Sequence, residues 1–232
     1  MIYGFVFDPP ETNKTLKVSA KEEIGMTIVQ ERDRIVESAS EKFLSQGISK
    51  VTLDEIASDL RMSKKTVYKF FPSKDELLKS IVQIMLGRVE KQVNAIVLSD
   101  KPFPEKMTEF MAFVGKFIGR LSTQFVRDMQ RFAPSLWKEV ETFRREHIFI
   151  KLDAMFAQAQ REGYFRPDVD AELFKLVFLH SMQGIINPQT LSQHSFSAQQ
   201  AFKSVFVILF EGMLTDQSRK NFHFFDSLFS QQ

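Results

Sequence analysis

A cluster of basic side chains lies between residues 61 and 74 of this 232-residue chain, and no acidic residue interrupts it before Asp75. Ammonium groups this close together repel one another unless an anion neutralises them. A polyanion with regularly spaced phosphates would do so, and it would release its condensed counterions on binding. The chemistry predicted for this segment is therefore anion binding. The cations of the cluster are Arg61, Lys64, Lys65, Lys69 and Lys74.

The charge excess is local to this cluster. The whole chain has 31 basic and 29 acidic residues and a net charge of only +2, so the cluster does not reflect general composition. A solvated helix face is the alternative interpretation. Flanking capping boxes, a short host helix and a tyrosine among the lysines favour recognition of a partner instead.

The cluster is expected on a helix of about two turns. Ser63 is a predicted N-cap, and the helix that it begins ends by Phe71, because Pro72 disfavours helical geometry at the residue before it. Val67 and Phe71 are four residues apart and can both anchor inward. This spacing predicts an outward face of Lys64, Lys65, Tyr68 and Lys69.

Capping boxes predict helices on both sides. Thr52 and Glu55 begin the preceding short helix, and Ser73 with Glu76 begins a long helix that reaches about residue 96. A first helix spans about residues 28–46. Two short helices joined by a turn of three or four residues match the geometry of a helix-turn-helix unit, whose second helix we call the reader helix.

The stretches TLDEIA at 52–57 and SKKTVYKFFPSKDEL at 63–77 resemble the DNA-binding domain of TetR/AcrR-type transcriptional regulators. The resemblance covers residues 28–77. It implies that Thr52, Tyr68 and Lys74 contact phosphates, which set register, whereas Lys64, Lys65, Thr66 and Lys69 approach bases, which carry specificity. The expected DNA-contacting residues are Thr52, Ser63, Lys64, Lys65, Thr66, Tyr68, Lys69 and Lys74.

Helical periodicity from about residue 27 onward predicts an all-α fold with an N-terminal helix-turn-helix DNA-binding domain, followed by a helical ligand-binding and dimerisation domain. Residues 1–25 are expected to be a flexible N-terminal tail. The DNA-binding domain is assigned to residues 26–73, the long connecting helix to 74–96, and the ligand-binding and dimerisation domain to 97–232.

The last of these domains is rich in phenylalanine and methionine. Such side chains adapt to flat or lipophilic ligands, so together they predict an apolar cavity for a small apolar effector, although for any one of them an ordinary core position is the alternative. The residues assigned to ligand binding are Phe113, Phe117, Phe125, Met129, Trp137, Phe156, Phe178 and Met182.

Two late helices, at about residues 170–186 and 197–214, carry more apolar surface than one domain readily covers. Exposed surfaces of this kind mark interfaces, and the family resemblance implies a two-fold homodimer built from these helices. Burial within the chain is the alternative. The residues assigned to the dimer interface are Phe174, Phe202, Val205, Phe206, Leu209, Phe210 and Met213.

Other chemistry finds little support. The chain has no cysteine, its four histidines lack metal-ligand spacing, and neither G-x-G-x-x-G nor G-x-S-x-G occurs. We therefore assign no catalytic residue, metal or cofactor. The longest apolar run, residues 205–210, is far below the roughly 18 residues of a membrane span. We expect a cytoplasmic protein without a membrane partner.

The function predicted is sequence-specific transcriptional regulation through a double-stranded DNA operator. The expected form is a homodimeric repressor that a small apolar ligand releases from a palindromic site. Two alternatives stay open: an architectural DNA-binding protein without an effector, and an enzyme acting on an apolar substrate.

Overall fold

The computed structural model describes the backbone of residues 20–221 and the side chains of residues 28–219. Within this range the fold is all-α, as expected, with one isolated antiparallel bridge between Phe165 and Leu214. The helices are α1 (Ala20–Gln46), α2 (Leu53–Asp59), α3 (Lys64–Phe70), α4 (Lys74–Val97), α5 (Phe103–Gly119), α6 (Thr123–Phe132), α7 (Pro134–Phe143), a π-helix (Arg144–Phe149), α8 (Ile150–Arg161), α9 (Ala171–Ile185), α10 (Pro188–Gln193), α11 (Ala198–Met213) and α12 (Asp216–Asn221).

Helix α1 begins at Ala20, so residues 20–25 of the predicted flexible tail are helical. This boundary of the sequence prediction was wrong, because the segment has no apolar stripe from which a helix could be predicted. Residues 1–19 lie outside the described residues, and the tail stays a prediction there.

Side-chain caps begin the three helices around the basic cluster, as the sequence predicted. Thr52 and Glu55 form a complete capping box at α2, and the hydroxyl of Ser63 accepts a hydrogen bond from the Thr66 N–H at α3. At α4, the Ser73 hydroxyl accepts from the Glu76 N–H, but no return bond from the Glu76 side chain is formed. These caps satisfy backbone donors that helices only seven residues long, such as α2 and α3, leave open.

An N-terminal cluster of buried apolar side chains holds the helix-turn-helix unit together. It joins α1, α2, α3 and the first half of α4, and Phe125 and Met129 of α6 complete it. Leu136, Trp137 and Val140 of α7 pack against its edge. Helices α6 and α7 therefore belong to the packing of the DNA-binding domain, although they follow it by some 50 residues in the chain.

A C-terminal cluster, rich in phenylalanine, forms the second core. It joins the last part of α4 to α5, α8, α9 and α11. Phe103, Phe165 and Phe210 lie at its centre, with the Phe165 ring edge-on to both others at centroid distances of 5.2 and 5.6 Å. Nine phenylalanine side chains are buried in this cluster as ordinary core residues.

Helix α4 contributes to both clusters. Leu77, Leu78, Ile81 and Val82 are buried in the N-terminal cluster, whereas Val93, Ile96 and Val97 are buried in the C-terminal cluster. The helix therefore connects the two cores as one continuous element of 24 residues.

Most of the residues predicted for the dimer interface are directed into the protein's own core. Phe174, Phe202, Phe206, Phe210 and Met213 are buried in the C-terminal cluster, and Val205 and Leu209 are partly buried against it. The exposed apolar side chains of these two helices are different ones, namely Leu173, Leu176, Val177 and Ile208. Apolar side chains cover both faces of α9, so periodicity alone does not distinguish its inner face from its outer one.

Among the helices of residues 20–221, none combines the length and the apolarity that a membrane crossing requires.

Candidate nucleic-acid interface and apolar cavity

The reader helix α3 has the two faces that its sequence predicted. Val67 is fully buried, and Phe71, immediately after the helix, is also buried in the N-terminal cluster. Lys65, Tyr68 and Lys69 are exposed on the opposite side. The core thus holds a short helix whose outward face is basic.

The charge on that face is only partly free. Lys64 Nζ lies 2.6 Å from Asp54 Oδ2 of α2, and this hydrogen bond, with the attraction between the two charges, raises the pKa of Lys64. An acid outside the cluster, in the preceding helix, therefore neutralises one of its lysines, Lys64. Lys65 and Lys69 make no ion pair within residues 28–219 and keep their charge available for an external anion.

The hydroxyl groups at the interface serve helix capping. Ser63 Oγ and Thr66 Oγ1 are 2.8 Å apart, and Ser63 Oγ also accepts from the Thr66 N–H at 3.0 Å. Thr52 donates its hydroxyl to Glu55 Oε2 at 3.0 Å and its backbone N–H to the same oxygen at 2.7 Å. These residues position α2 and α3, and Thr52 and Ser63 remain exposed at the helix starts.

Lys74 lies in the first turn of α4, as expected, and its side chain contacts the protein backbone. Its ammonium group donates to the backbone oxygens of Ile48 at 3.1 Å and Val51 at 3.2 Å, in the loop between α1 and α2. Two of its three donors are therefore directed at the protein, and the phosphate contact expected for Lys74 stays a prediction. Lys74 stabilises the loop that precedes α2.

Helix α6 contacts the loop between α1 and α2 from the side opposite Lys74. The sequence did not predict this contact. Asp128 Oδ2 accepts the Ser49 N–H at 2.6 Å, and Gln124 donates to Asp128 Oδ1 at 2.6 Å. Burial by itself would raise the pKa of Asp128, but hydrogen bonds from Ser49, Gln124 and the Ile48 backbone lower it below the ordinary value. An acid on the buried stripe between Phe125 and Met129 is the signal that could have revealed this contact.

Gly47 makes the close approach of α6 possible. Its φ of +92° lies in the left-handed region that favours glycine, and a Cβ here would lie 2.4 Å from the Gln124 side chain. The Ser122 N–H also donates to the Leu44 oxygen at 2.9 Å, which fixes the start of α6 against the end of α1.

A small apolar cavity lies inside the C-terminal cluster. Its volume of about 10 Å³ has room for about one water molecule. The stem of Lys175 is its one charged lining residue, and the Lys175 ammonium pairs with Asp153 and Glu172. The lining is Met107, Phe110, Phe149, Leu152, Phe156, Phe174, Lys175, Phe178 and Phe206.

The predicted ligand residues divide between the two clusters. Phe156 and Phe178 line the cavity, Met182 is buried and Phe113 partly buried in the same cluster, and Phe117 is half-buried on α5. The assignment of Phe125, Met129 and Trp137 to this cavity was wrong, because α6 and α7 pack them on the N-terminal cluster.

The residues with described side chains contain no group of three or more histidine, aspartate or glutamate side chains that could hold a metal ion.

The sequence model described as "Bacterial regulatory proteins, tetR family" matches residues 35–81, which contain α2, α3 and the start of α4. The chain is 21% identical over 168 residues to the HTH-type transcriptional regulator YvaF of Bacillus subtilis, covering 72% of this chain and 87% of YvaF. It is 19% identical over 183 residues to the nucleoid occlusion factor SlmA of Photobacterium profundum, covering 77% of this chain and 93% of SlmA.

Solved structures share the fold. A TetR-family regulator from Marinobacter aquaeolei has a TM-score of 0.63 and 21% identity, covering 85% of this chain and 98% of that one. The ketosteroid regulator KstR2 of Mycobacterium tuberculosis has a TM-score of 0.54 and 21% identity, covering 80% and 96%. The matched segment, the outward basic face of α3 and the shared fold lead to one conclusion: this chain carries the helix-turn-helix unit of the TetR family of DNA-binding transcriptional regulators, a non-enzymatic family.

Proposed function

We propose that this regulator is a repressor that occupies a palindromic operator as a homodimer and leaves it when a small apolar effector enters the C-terminal cluster. One observation carries the proposal: α4 contributes buried side chains to both clusters, so a change in the second core reaches the helix-turn-helix unit through a single rigid element. Release requires that the effector bind the DNA-incompetent state more tightly, by about 1–3 kcal/mol for typical coupling.

An effector would have to enlarge the small cavity. A drug-sized ligand needs a pocket of roughly 300–1,000 Å³, whereas the cavity between α5, α8, α9 and α11 has about 10 Å³. An effector must therefore displace phenylalanine side chains, and a close-packed core transmits such a displacement to its neighbours. Val93 and Ile96 of α4 belong to the same cluster and would shift with it.

A second link connects the two parts of the chain. The Asp128 hydrogen bond to Ser49 joins α6 to the loop that leads into α2. A shift of α6 would move this loop, which Lys74 holds from the side of α4. The two contacts make the loop sensitive to the relative position of α4 and α6.

The exposed apolar side chains of α9 and α11 support a homodimer. Leu173, Leu176 and Val177 follow helical spacing on α9, and Ile208 on α11 is 71% exposed. A two-fold pairing of these helices would cover them. To read a palindrome, two copies of α3 must lie about one DNA turn apart, roughly 34 Å.

Footprinting on the DNA upstream of the protein's own gene tests the proposal, with rhodamine 6G and oleoyl-coenzyme A as lipophilic probes. We expect a protected palindrome that at least one compound releases. If about six phosphates are neutralised per dimer, log K should fall with log salt at a slope near −5. A footprint on a single asymmetric half-site, or a slope near zero, would contradict the proposal.

A matched pair of variants tests where the compound binds. Phe178→Ala enlarges the cavity, whereas Phe125→Ala makes the same truncation in the N-terminal cluster. We expect Phe178→Ala to change the compound concentration that releases DNA, and Phe125→Ala to leave it unaltered in the fraction that still binds DNA.

The small volume of the cavity favours one second candidate, a DNA-binding protein without an effector. The nucleoid occlusion factor SlmA, to which the chain is similar, is a protein named for a role on the nucleoid. This candidate would be favoured if none of the lipophilic compounds removed the footprint and none changed the melting temperature of the protein.

A further inference from the structure

The turn between α2 and α3 has a specific backbone geometry. Arg61 N–H donates to the Ser58 oxygen at 3.0 Å, and Met62 N–H donates to the Ala57 oxygen at 2.9 Å. Together they form the Schellman motif that ends many helices, with Arg61 at the C′ position. The φ of Arg61 is +53°, inside the left-handed region.

Arginine is energetically unfavourable at this backbone position. The Cβ atom of a non-glycine residue crowds the following carbonyl oxygen in the left-handed region, and glycine or asparagine adopts it at lower cost. The other two residues with positive φ in the described chain, Gly47 and Gly163, are both glycines. The geometry of the turn therefore does not explain why residue 61 is an arginine. Backbone positions with strain often occur where the side chain has a function.

The Arg61 side chain is exposed and makes no hydrogen bond or ion pair within residues 28–219. The three acids of α2 have other partners: Asp54 pairs with Lys64, Glu55 caps Thr52, and Asp59 lies 2.5 Å from Lys42. The guanidinium, always charged and with five donors, is thus left without an internal anion.

Arg61 also lies close to the start of the reader helix. It precedes the N-cap Ser63 by two residues, so their Cα atoms are at most about 7.6 Å apart. In helix-turn-helix proteins the N-terminal residues of this helix enter the major groove. A side chain just outside the helix then reaches the rim of the groove, where the phosphates run.

We propose that Arg61 is a DNA-contacting residue, whose guanidinium binds a backbone phosphate beside the groove that α3 enters. The strained turn is retained because an arginine in this position adds a phosphate contact that glycine would lack. The inference rests on DNA binding by the helix-turn-helix unit and names a residue outside the DNA-contacting set expected from the sequence.

Three substitutions distinguish the effect of backbone strain at residue 61 from the effect of its positive charge. Arg61→Gly removes both the strain and the charge. Arg61→Asn removes the charge and tolerates the left-handed backbone, and Arg61→Lys keeps the charge. The probes are a duplex that the wild-type protein selects from a randomised library and an unselected duplex of equal length. Melting temperature and Kd are measured at several salt concentrations.

We expect Arg61→Gly to melt about 2–4 °C higher than wild type and to bind both duplexes about tenfold more weakly. The slope of log K against log salt should become shallower by about 1 for each copy bound. Arg61→Asn should show the same loss of affinity, and Arg61→Lys should keep most of the slope. An equal fold-increase in Kd for both duplexes identifies a phosphate contact, since loss of a base contact would weaken binding to the selected duplex more.

Arg161→Asn, at the exposed end of α8, is the control for loss of one positive charge elsewhere. It should leave affinity and slope near the wild-type values. A more stable Arg61→Gly with unchanged affinity and slope would overturn the proposal, as would a larger loss on the selected duplex alone. A less stable Arg61→Gly would refute the premise that the turn is strained.

Discussion

The carboxylate of Asp128 on α6 accepts a hydrogen bond from the Ser49 backbone N–H, 2.6 Å away in the loop before α2. The two residues are separated by 79 positions in the sequence. This bond joins a helix outside the helix-turn-helix unit to the loop that sets the position of α2. Its consequences can be tested directly.

Asp128→Asn should weaken the contact between α6 and the loop before α2. The carboxylate accepts from Ser49 on one oxygen and from Gln124 on the other, and asparagine offers an oxygen to only one of these donors. We expect the free energy of unfolding in urea to fall by about 2 kcal/mol, the usual range for hydrogen bonds to charged groups. Glu139→Gln, an exposed change on α7, is the control. An unfolding curve identical to wild type would show that the bond carries no stability.

The same carboxylate predicts a pH dependence. Because its pKa in the folded protein is lowered from 3.8 by hydrogen bonds that outweigh burial, the stability it contributes is fully present well above pH 4. It is lost as the pH falls through the ordinary value and then through the lowered one. The difference in unfolding free energy between wild type and Asp128→Asn should therefore shrink from pH 6 to pH 3. A difference that is constant over this range would contradict the assignment.

Asp54→Asn should tighten DNA binding. Asp54 neutralises Lys64 at 2.6 Å, so its removal frees a third ammonium on α3. We expect Kd at low salt to fall about threefold and the salt slope to steepen by about 1 for each copy bound. Asp59→Asn is the matched control, because Asp59 pairs with Lys42 of α1 and not with the reader helix. Equal effects of the two substitutions would contradict a specific role for the pair.

Ile208→Glu should break the proposed dimer. A carboxylate placed in an apolar interface loses hydration without gaining a partner, and this cost falls on both copies of a two-fold contact. We expect sedimentation velocity to report monomers and the affinity for a palindromic duplex to drop. Leu98→Glu provides the control, since Leu98 is 78% exposed but lies just after α4 rather than on α9 or α11. If both variants sediment as wild type, α11 does not contribute to the interface.

Local signals in the sequence determined the helix-turn-helix unit. Ser63 as an N-cap, Pro72 as a stop and the four-residue spacing of Val67 and Phe71 each act within one or two turns of helix, so they need no knowledge of distant residues. The two faces of α3 follow from these signals, and the structure has them as predicted.

Only the tertiary structure decided which groups meet. The Asp54–Lys64 pair and the Lys74 contacts to Ile48 and Val51 depend on how the helices pack, and sequence spacing does not encode that packing. The inner face of α9 was equally undetermined, because apolar side chains cover both sides of that helix. Burial of Phe174 and exposure of Leu173 follow from the position of the C-terminal cluster.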